Sequence, residues 1–473
     1  MNKIRCAILG CGNVGSALVS QLIVGHDDIV KRTGVDIEIA GIAVRDVAKH
    51  RDAKHGYIDG SLFTDDPFAL VNDSSVDIVV ELIGGTDPAS QLIDRAIETG
   101  KSVVSANKEL LARRGSDLVS AAASAGVELL YEAAVAGAIP VVRLLAESLA
   151  AEQLYRVSGI VNGTTNFVLS AMSEEGVDYH EALEEAQRLG LAESNPSADV
   201  DGYDAAAKAA ILAGIAYRCD VRLDDVAREG ITRVRAEDVQ YARQLGYIIK
   251  LLAVTELNQK SRPNVSENQA SQAPTAPQVS QAPTVPQAPA ASTVPQVSVR
   301  VYPAMVPISH PLASVRGAHN AVFIEGERCG EIMLYGQGAG GVPTASAVMG
   351  DLVDAAAKRL AGHQPYASMV PAREPVPRAY VIPPSELRCA WYINMDVRDQ
   401  PGVLAAVAHV FGDNGVSIRS MEQVGMGSEA RLIFVTHEAR EGDIDKTLEE
   451  LHGLGAVENI GGILRVFGES KTR

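Results

Sequence analysis

Three things are scarce in this chain of 473 residues: long apolar runs, paired cysteines and positive charge. No apolar stretch reaches the roughly 20 residues of a membrane-spanning helix, so a transmembrane protein is not expected. The opening decapeptide MNKIRCAILG runs straight into a predicted strand and lacks the longer apolar stretch and cleavage site of a signal peptide. The five cysteines (Cys6, Cys11, Cys219, Cys329 and Cys389) form no CxxC pair. That pattern reads as reduced thiols in a cytoplasmic protein, neither a disulfide frame nor a zinc site. Lys and Arg number 42 against 59 Asp and Glu, a formal charge of −17, which disfavours nucleic acid and anionic membranes as partners and leaves small molecules.

What is present is apolar and patterned. With 47% hydrophobic and 21% charged residues, the chain should fold into about three soluble domains. Residues 1–140 alternate short apolar runs with helical patterns, which predicts an α/β domain with a parallel sheet and crossover helices. Residues 141–366 read as an α+β domain, helix-rich to Ala253 and then β-biased. An insert at 258–296 interrupts it with little but Gln, Ala, Pro, Ser, Thr and Val, a composition too poor in large apolar groups to offset ordering entropy. Its flanks, KLLAVTEL and VSVRVYP, both read as strands, so the insert is predicted to lengthen a loop between neighbours. A Pro-rich stretch at 367–388 reads as a linker. Residues 389–468 then follow a strand, helix, strand, strand, helix, strand order, a ferredoxin-like unit.

Gly10, Gly12 and Gly15 form GCGNVG between the strand IRCAIL and the helix SALVSQLIV. In that context the glycines allow a tight turn and a close approach to a pyrophosphate at the helix N-terminus, a Rossmann dinucleotide site. Asn13 and Val14 lie in the same turn. The second strand ends in Val44, Arg45 and Asp46, where the adenosine ribose is expected. An arginine there pairs with the 2′-phosphate of NADP, whereas an acid favours NAD; Arg45 also fits a merely solvated strand end.

Lys208 lies in DGYDAAAKAAILAGIAY, with Ile211, Leu212 and Ile215 at helical spacing, so its ammonium falls on the stripe that should face a core. Asp204 is one turn earlier on the same face. The same spacing also describes an exposed i,i+4 pair of little consequence.

The strings GCGNVGSAL, ELIGG, SANKEL, YEAAVAGAIP, GIVNGTTNF and AESNPSADVDGYDAAAKAAILA resemble homoserine dehydrogenase of the form with a C-terminal ACT domain. The resemblance covers nearly the whole chain apart from the insert. It implies NAD(P)-dependent interconversion of L-aspartate 4-semialdehyde and L-homoserine, on the route to threonine, methionine and isoleucine. Position by position, it implies Lys208 as acid/base, Glu193 as a substrate ligand, Asp199 and Asp204 in the same site, and Lys108 as a second active-site lysine near the nicotinamide. Gly190 and Gly340 match cofactor-contacting glycines. The carbonyls of Glu132, Val135, Gly137 and Ile139 match ligands of a monovalent cation, usually sodium. Asn195 and Ser197 depart from some relatives without displacing a residue that has a chemical role.

Reducing an aldehyde requires a proton at the oxygen as hydride reaches the carbon, and a cationic donor in a dry pocket meets that need. Burial should lower the pKa of Lys208, while Asp204 and Glu193 should raise it. Glu193, with help from Asp204, is a candidate for the substrate ammonium, and Lys108 or backbone amides for its carboxylate or for orienting the aldehyde. Ser105 and Ala106 are candidates for backbone contacts to the nicotinamide half. In VNGTTNF, Asn162, Thr164, Thr165 and Asn166 either bind ligand or cap the next helix, with capping expected of Thr165 and Asn166. MDVRDQPGVLAAVAHVFGDNGVSIRSM resembles the start of an ACT domain, with Asp399, Gly402 and Asn414 as effector-site candidates. That implies feedback by an amino acid, threonine first, unless the unit only dimerises. The expected assembly is a cytoplasmic homo-oligomer, a dimer or tetramer. The rival of another class is an amino-acid sensor on an inactive dehydrogenase scaffold.

Overall fold

In a computed structural model, residues 3–52, 58–258, 294–362, 376–425 and 430–468 are described. The core of the predicted insert, residues 259–293, lies outside them.

The first sheet is parallel throughout, with strands in the order 63–64, 36–43, 3–9, 78–81, 102–105, 129–130. Its central strands, IVVE (Ile78–Glu81) and SVVS (Ser102–Ser105), are buried along their whole length, as a sheet covered on both faces requires. One face is covered by the helix Asn13–Val24 through Leu18, Val19 and Leu22. The same cluster takes Ala345, Val348 and Leu352 from the helix Gly341–Leu360, which lies far along the chain but packs back against the first helix. This doubly wound arrangement is the Rossmann fold expected of the glycine turn.

The second sheet is mixed. Its main path runs 330–337, 319–326, 154–160, 247–257, 296–307, 457–466, 388–397, 431–436, 418–424. The strands flanking the insert, Tyr247–Leu257 and Gln296–Pro307, pair antiparallel from Val297 with Leu257 to Pro307 with Tyr247. Helices Gly163–Glu175, Tyr203–Tyr217 and Ala236–Gln244 lie against Tyr247–Leu257.

The C-terminal unit has the expected β-α-β-β-α-β order, with helices Val403–Asp413 and Glu441–Gly453. It does not hang from a tether. Its last strand, Val457–Val466, pairs parallel with Gln296–Pro307 through Ala304 with Arg465 and Met305 with Val466, so one sheet runs through both units. The described part of the Pro-rich 367–388 stretch carries a short strand, Tyr380–Val381, paired with Gln296 and Val297. Among the described residues no helix is long and apolar enough to cross a membrane.

Candidate active site

The helix Tyr203–Tyr217 starts at Gly202, whose φ of 82° suits only glycine well, and its alanines let it lie close against its neighbours. Ala205, Ala206, Ala209, Ala210 and Ala213 are all buried, and Lys208 among them is 8% exposed. Asp204 is buried as well. The exposed-pair reading of these two residues is thereby set aside, because both charges leave water together.

Lys208 Nζ donates to the Val161 carbonyl at 2.6 Å and to Asp204 Oδ2 at 2.7 Å. An ammonium has three donors, so one remains for a ligand. Asp204 Oδ1 accepts from Lys108 Nζ, and Asp204 Oδ2 also accepts from Asn162 Nδ2 at 2.9 Å. Lys108 opens the helix Lys108–Ala125, whose N-cap is Asn107 with Oδ1 accepting from Leu110 N at 3.1 Å. Its side chain is 47% exposed at the mouth of the site.

The two lysines are pushed in opposite directions. Burial lowers Lys208, and Lys108 lowers it further, against the partial opposition of Asp204. At Lys108 burial is again the largest influence, yet the charges of Asp204, Asp199 and Glu193 together outweigh it and the pKa rises. Asp204 feels burial first, but the two ammonium groups hold it far below the usual carboxylate range.

Lys108, Glu193, Asp199, Asp204 and Lys208 line one cleft of about 880 Å³, together with Gly190 and Gly340. Residues without an individual side-chain signal join them, among them Tyr203, Ala318, His319 and Gln337. Val161 contributes only a carbonyl, which no residue pattern reveals.

The glycine turn lies next to the cleft's Gly340 wall. A Cβ on Gly341 would come within 2.7 Å of the Asn13 carbonyl oxygen. Gly10 has φ 103°, and a Cβ on Gly15 would stand 2.2 Å from the Gly10 carbonyl oxygen, so these two glycines let the helix seat on the turn. A Cβ on Gly12 would meet nothing within 4 Å. Asn13 and Val14 start the helix, and Arg45 is exposed just beyond the strand Asp36–Ala43.

Neighbouring loops are tied by Glu81, a residue the sequence reading passed over inside ELIGG. Its Oε1 accepts from Ile83 N at 2.8 Å and Gly84 N at 3.1 Å, and its Oε2 accepts from Ser105 Oγ at 2.8 Å.

Two expected roles change. The cap of the helix Gly163–Glu175 is Asn162, whose Oδ1 accepts from Thr165 N at 2.9 Å, and not Thr165 or Asn166. Asn166 instead spans Gly317 O, His319 O and Lys250 Nζ, because its position one turn into the helix points it at that loop. In the C-terminal unit Asn414 Nδ2 donates to Val410 O at 3.1 Å at the end of the helix Val403–Asp413, and Gly402 (φ 94°) opens that helix. Asp399 lies in the turn before it.

Glu132, Val135, Gly137 and Ile139 fall in one irregular segment, with Ala136 and Gly137 both left-handed at φ 57° and 58°. The Glu132 carboxylate accepts from Val142 N and Arg143 N, both at 2.8 Å.

Comparison with known proteins now adds to this geometry. Residues 140–353 match the family described as homoserine dehydrogenase, residues 10–132 its NAD binding domain and residues 391–456 the ACT domain. The chain is 45% identical to a homoserine dehydrogenase of Mycobacterium tuberculosis over 468 residues, covering 98% of this chain and 97% of the relative. It is 42% identical to that of Corynebacterium glutamicum, covering 98% and 96%. Among solved structures it resembles a homoserine dehydrogenase from Thiobacillus denitrificans with a TM-score of 0.84, 35% identity and 98% of each chain covered. A hyperthermophilic archaeal homoserine dehydrogenase in complex with NADPH gives a TM-score of 0.57 at 27% identity, covering 76% of this chain and 98% of that one.

Proposed function

The chain belongs to the homoserine dehydrogenase family, an oxidoreductase with an NAD(P)-binding domain and an ACT domain, and from that premise we propose how its residues divide the work. The observation that carries the division is geometric: buried Lys208, held by the Val161 carbonyl and Asp204 Oδ2, keeps one Nζ position open in the cleft, while Lys108 stands at its mouth on the other oxygen of Asp204. Burial favours release of the Lys208 proton and the acids around Lys108 favour its retention, so Lys208 carries the proton and Lys108 remains a fixed positive charge.

When bound, the nicotinamide cofactor supplies or accepts the hydride. In the oxidation of L-homoserine, Lys208 takes the hydroxyl proton through the position left open on Nζ, as the C–H bond gives up its electron pair. In reduction of aspartate 4-semialdehyde, the same ammonium returns a proton to the carbonyl oxygen. Asp204 stays ionised and orients Lys208. Glu193 and Asp199 receive the substrate's ammonium, and Lys108 its carboxylate. Gly10, Gly12, Asn13, Val14 and Gly15 cradle the pyrophosphate, with Ser105, Gly190 and Gly340 toward the nicotinamide half. NADP is the preferred cofactor because Arg45 offers the 2′-phosphate a guanidinium fork.

A monovalent cation, sodium first, fits the carbonyls of Glu132, Val135, Gly137 and Ile139. Those of Val135 and Gly137 take no hydrogen bond from the described residues, and two successive left-handed residues redirect that stretch of backbone. Its service would be structural, fixing a turn in which Gly137 is packed against Gly338. The ACT domain is read as the seat of feedback by threonine near Asp399 and Gly402. The enzyme is read as a cytoplasmic homo-oligomer, a dimer or tetramer, on the route to threonine, methionine and isoleucine.

The test is oxidation of L-homoserine by wild type and Lys208→Ala, with NADP and NAD in parallel and with or without threonine. Loss of about 10²- to 10⁴-fold in kcat with cofactor affinity retained is expected of the variant. Full turnover by the variant would remove Lys208 from the chemistry. No turnover by the wild type, with tight amino-acid binding, would favour a sensor.

A further inference from the structure

We propose that Asn162 is a positioning residue for this reaction: its carboxamide, locked by the helix it caps, holds Asp199 and Asp204 in one fixed arrangement beside Lys208. The inference rests on Lys208 being the proton carrier and adds what keeps that site in order.

Asn162 follows the strand Leu154–Ile160 and is buried. Its Oδ1 accepts from Thr165 N and from Thr165 Oγ1, each at 2.9 Å. Both lone pairs are therefore used by the helix start, and the amide has only one sensible orientation. The flipped amide would aim an oxygen at two carboxylates and an NH₂ at a backbone N–H. In the favoured orientation Nδ2 donates to Asp199 Oδ1 at 2.6 Å and to Asp204 Oδ2 at 2.9 Å. The preceding residue, Val161, gives its carbonyl to Lys208 Nζ at 2.6 Å. Two adjacent residues thus hold both members of the Lys208–Asp204 pair, along with an acid from the short helix Ser197–Val200.

The chemistry of the holder matters. A carboxamide gives each acid a hydrogen bond without adding charge, so the carboxylates stand close together while the proton affinity of Lys208 is left to the charges that face it. Those charges are Asp204 on its own helix, Lys108 from the helix Lys108–Ala125, Asp199 from the turn before, and Glu193 across the cleft. A capping serine keeps the helix start and drops both bonds to the acids. A capping aspartate keeps the cap but turns a carboxyl oxygen toward Asp199 and Asp204, so it either adds a negative charge beside Lys208, raising that lysine's proton affinity, or holds a proton between the acids.

The test compares wild type, Asn162→Ser, Asn162→Asp and Lys208→Ala for L-homoserine oxidation across pH, for cofactor affinity and for thermal unfolding. Wild-type turnover and its loss in Lys208→Ala check the underlying reading separately. Asn162→Ser is expected to lose about 10- to 100-fold in kcat/KM with unchanged cofactor affinity and a melting temperature near wild type. Asn162→Asp, where its new carboxyl ionises, is expected to move the alkaline-rising limb of the pH profile upward by about one unit or more, a shift that a lost cap does not produce. Wild-type kinetics in Asn162→Ser would reduce Asn162 to a helix cap. Should Asn162→Ser not fold, Asn162→Thr, which also keeps a capping hydroxyl and drops both bonds to the acids, takes its place, and wild-type kinetics in it would overturn the proposal.

Discussion

Buried lysines are costly, and the described residues include two outside the cleft, Lys101 and Lys250. Lys250 is fully buried, and among the described residues Nζ donates only to neutral acceptors: Asn166 Oδ1 at 2.9 Å, Ser170 Oγ at 3.2 Å and Val315 O at 2.6 Å. Burial, with help from the charge of Arg316, pushes it down to about 7. Its folded value lies below its unfolded one, so between about pH 7 and about pH 10 the unfolded chain holds the extra proton and stability rises with pH. The slope should approach about 1.4 kcal/mol per pH unit over that window. Unfolding of wild type and Lys250→Met at pH values across it should show the rise in the first and a flatter profile in the second; matching profiles would show that Lys250 does not titrate there. The sequence reading did not single out this lysine, because KLLAVTEL presents it as one polar residue in a strand. Lys208 was legible because apolar neighbours at i+3, i+4 and i+7 surround it and Asp204 sits at i−4. The Val161 carbonyl and the Asn162 bridge were not, since a backbone acceptor has no residue identity and a cap looks the same whether or not its amide does a second task.

At the scale of elements, the glycine turn was readable down to its separate glycines, and the structure gives them different duties. A Cβ on Gly15 would collide with the Gly10 carbonyl oxygen, whereas one on Gly12 would point into open space and Gly12 has an ordinary φ of −78°. Gly15→Ala should therefore destabilise the fold by about 1–3 kcal/mol. Gly12→Ala should leave stability within about 0.5 kcal/mol and weaken cofactor binding about tenfold or more, because the new methyl occupies the approach a pyrophosphate needs. Thermal unfolding and cofactor titration of the two variants separate these effects; a Gly12→Ala protein with lower stability and normal affinity would reverse the assignment. The strands flanking the insert were also legible, from their apolar runs, and they pair as neighbours. The position of the helix Gly341–Leu360 was not. Its apolar periodicity says that one face is buried, but not that the face returns to the helix Asn13–Val24 across more than three hundred residues.

The whole molecule differs from a string of tethered units at its junctions. Phe467 lies in a buried cluster with Ile160, Leu252, Tyr302 and Phe323, and Tyr392, Leu464 and Val466 belong to the same core as the helix Tyr203–Tyr217. Arg465 pairs with Glu441 in its own unit and with Glu229 of the catalytic part, and its guanidinium lies 4.7 Å from the centre of the Trp391 ring. Burying several such side chains at about 1.5–3 kcal/mol each is comparable with the whole stability of a domain, so the C-terminal unit should not unfold ahead of the rest. Trp391 is the only tryptophan in the chain and lies in the C-terminal unit's own core with Val407, Phe411 and Phe434, which makes its fluorescence a reporter of that unit. In a urea titration, Trp391 fluorescence, helical circular dichroism and enzyme activity should be lost with one midpoint. A tryptophan transition at lower urea with activity intact would mean that the regulatory unit opens independently. A shared midpoint would mean that the two units fold as one body, as expected where Val457–Val466 pairs with Gln296–Pro307, that strand with Tyr247–Leu257, and the helix bearing Lys208 packs on them.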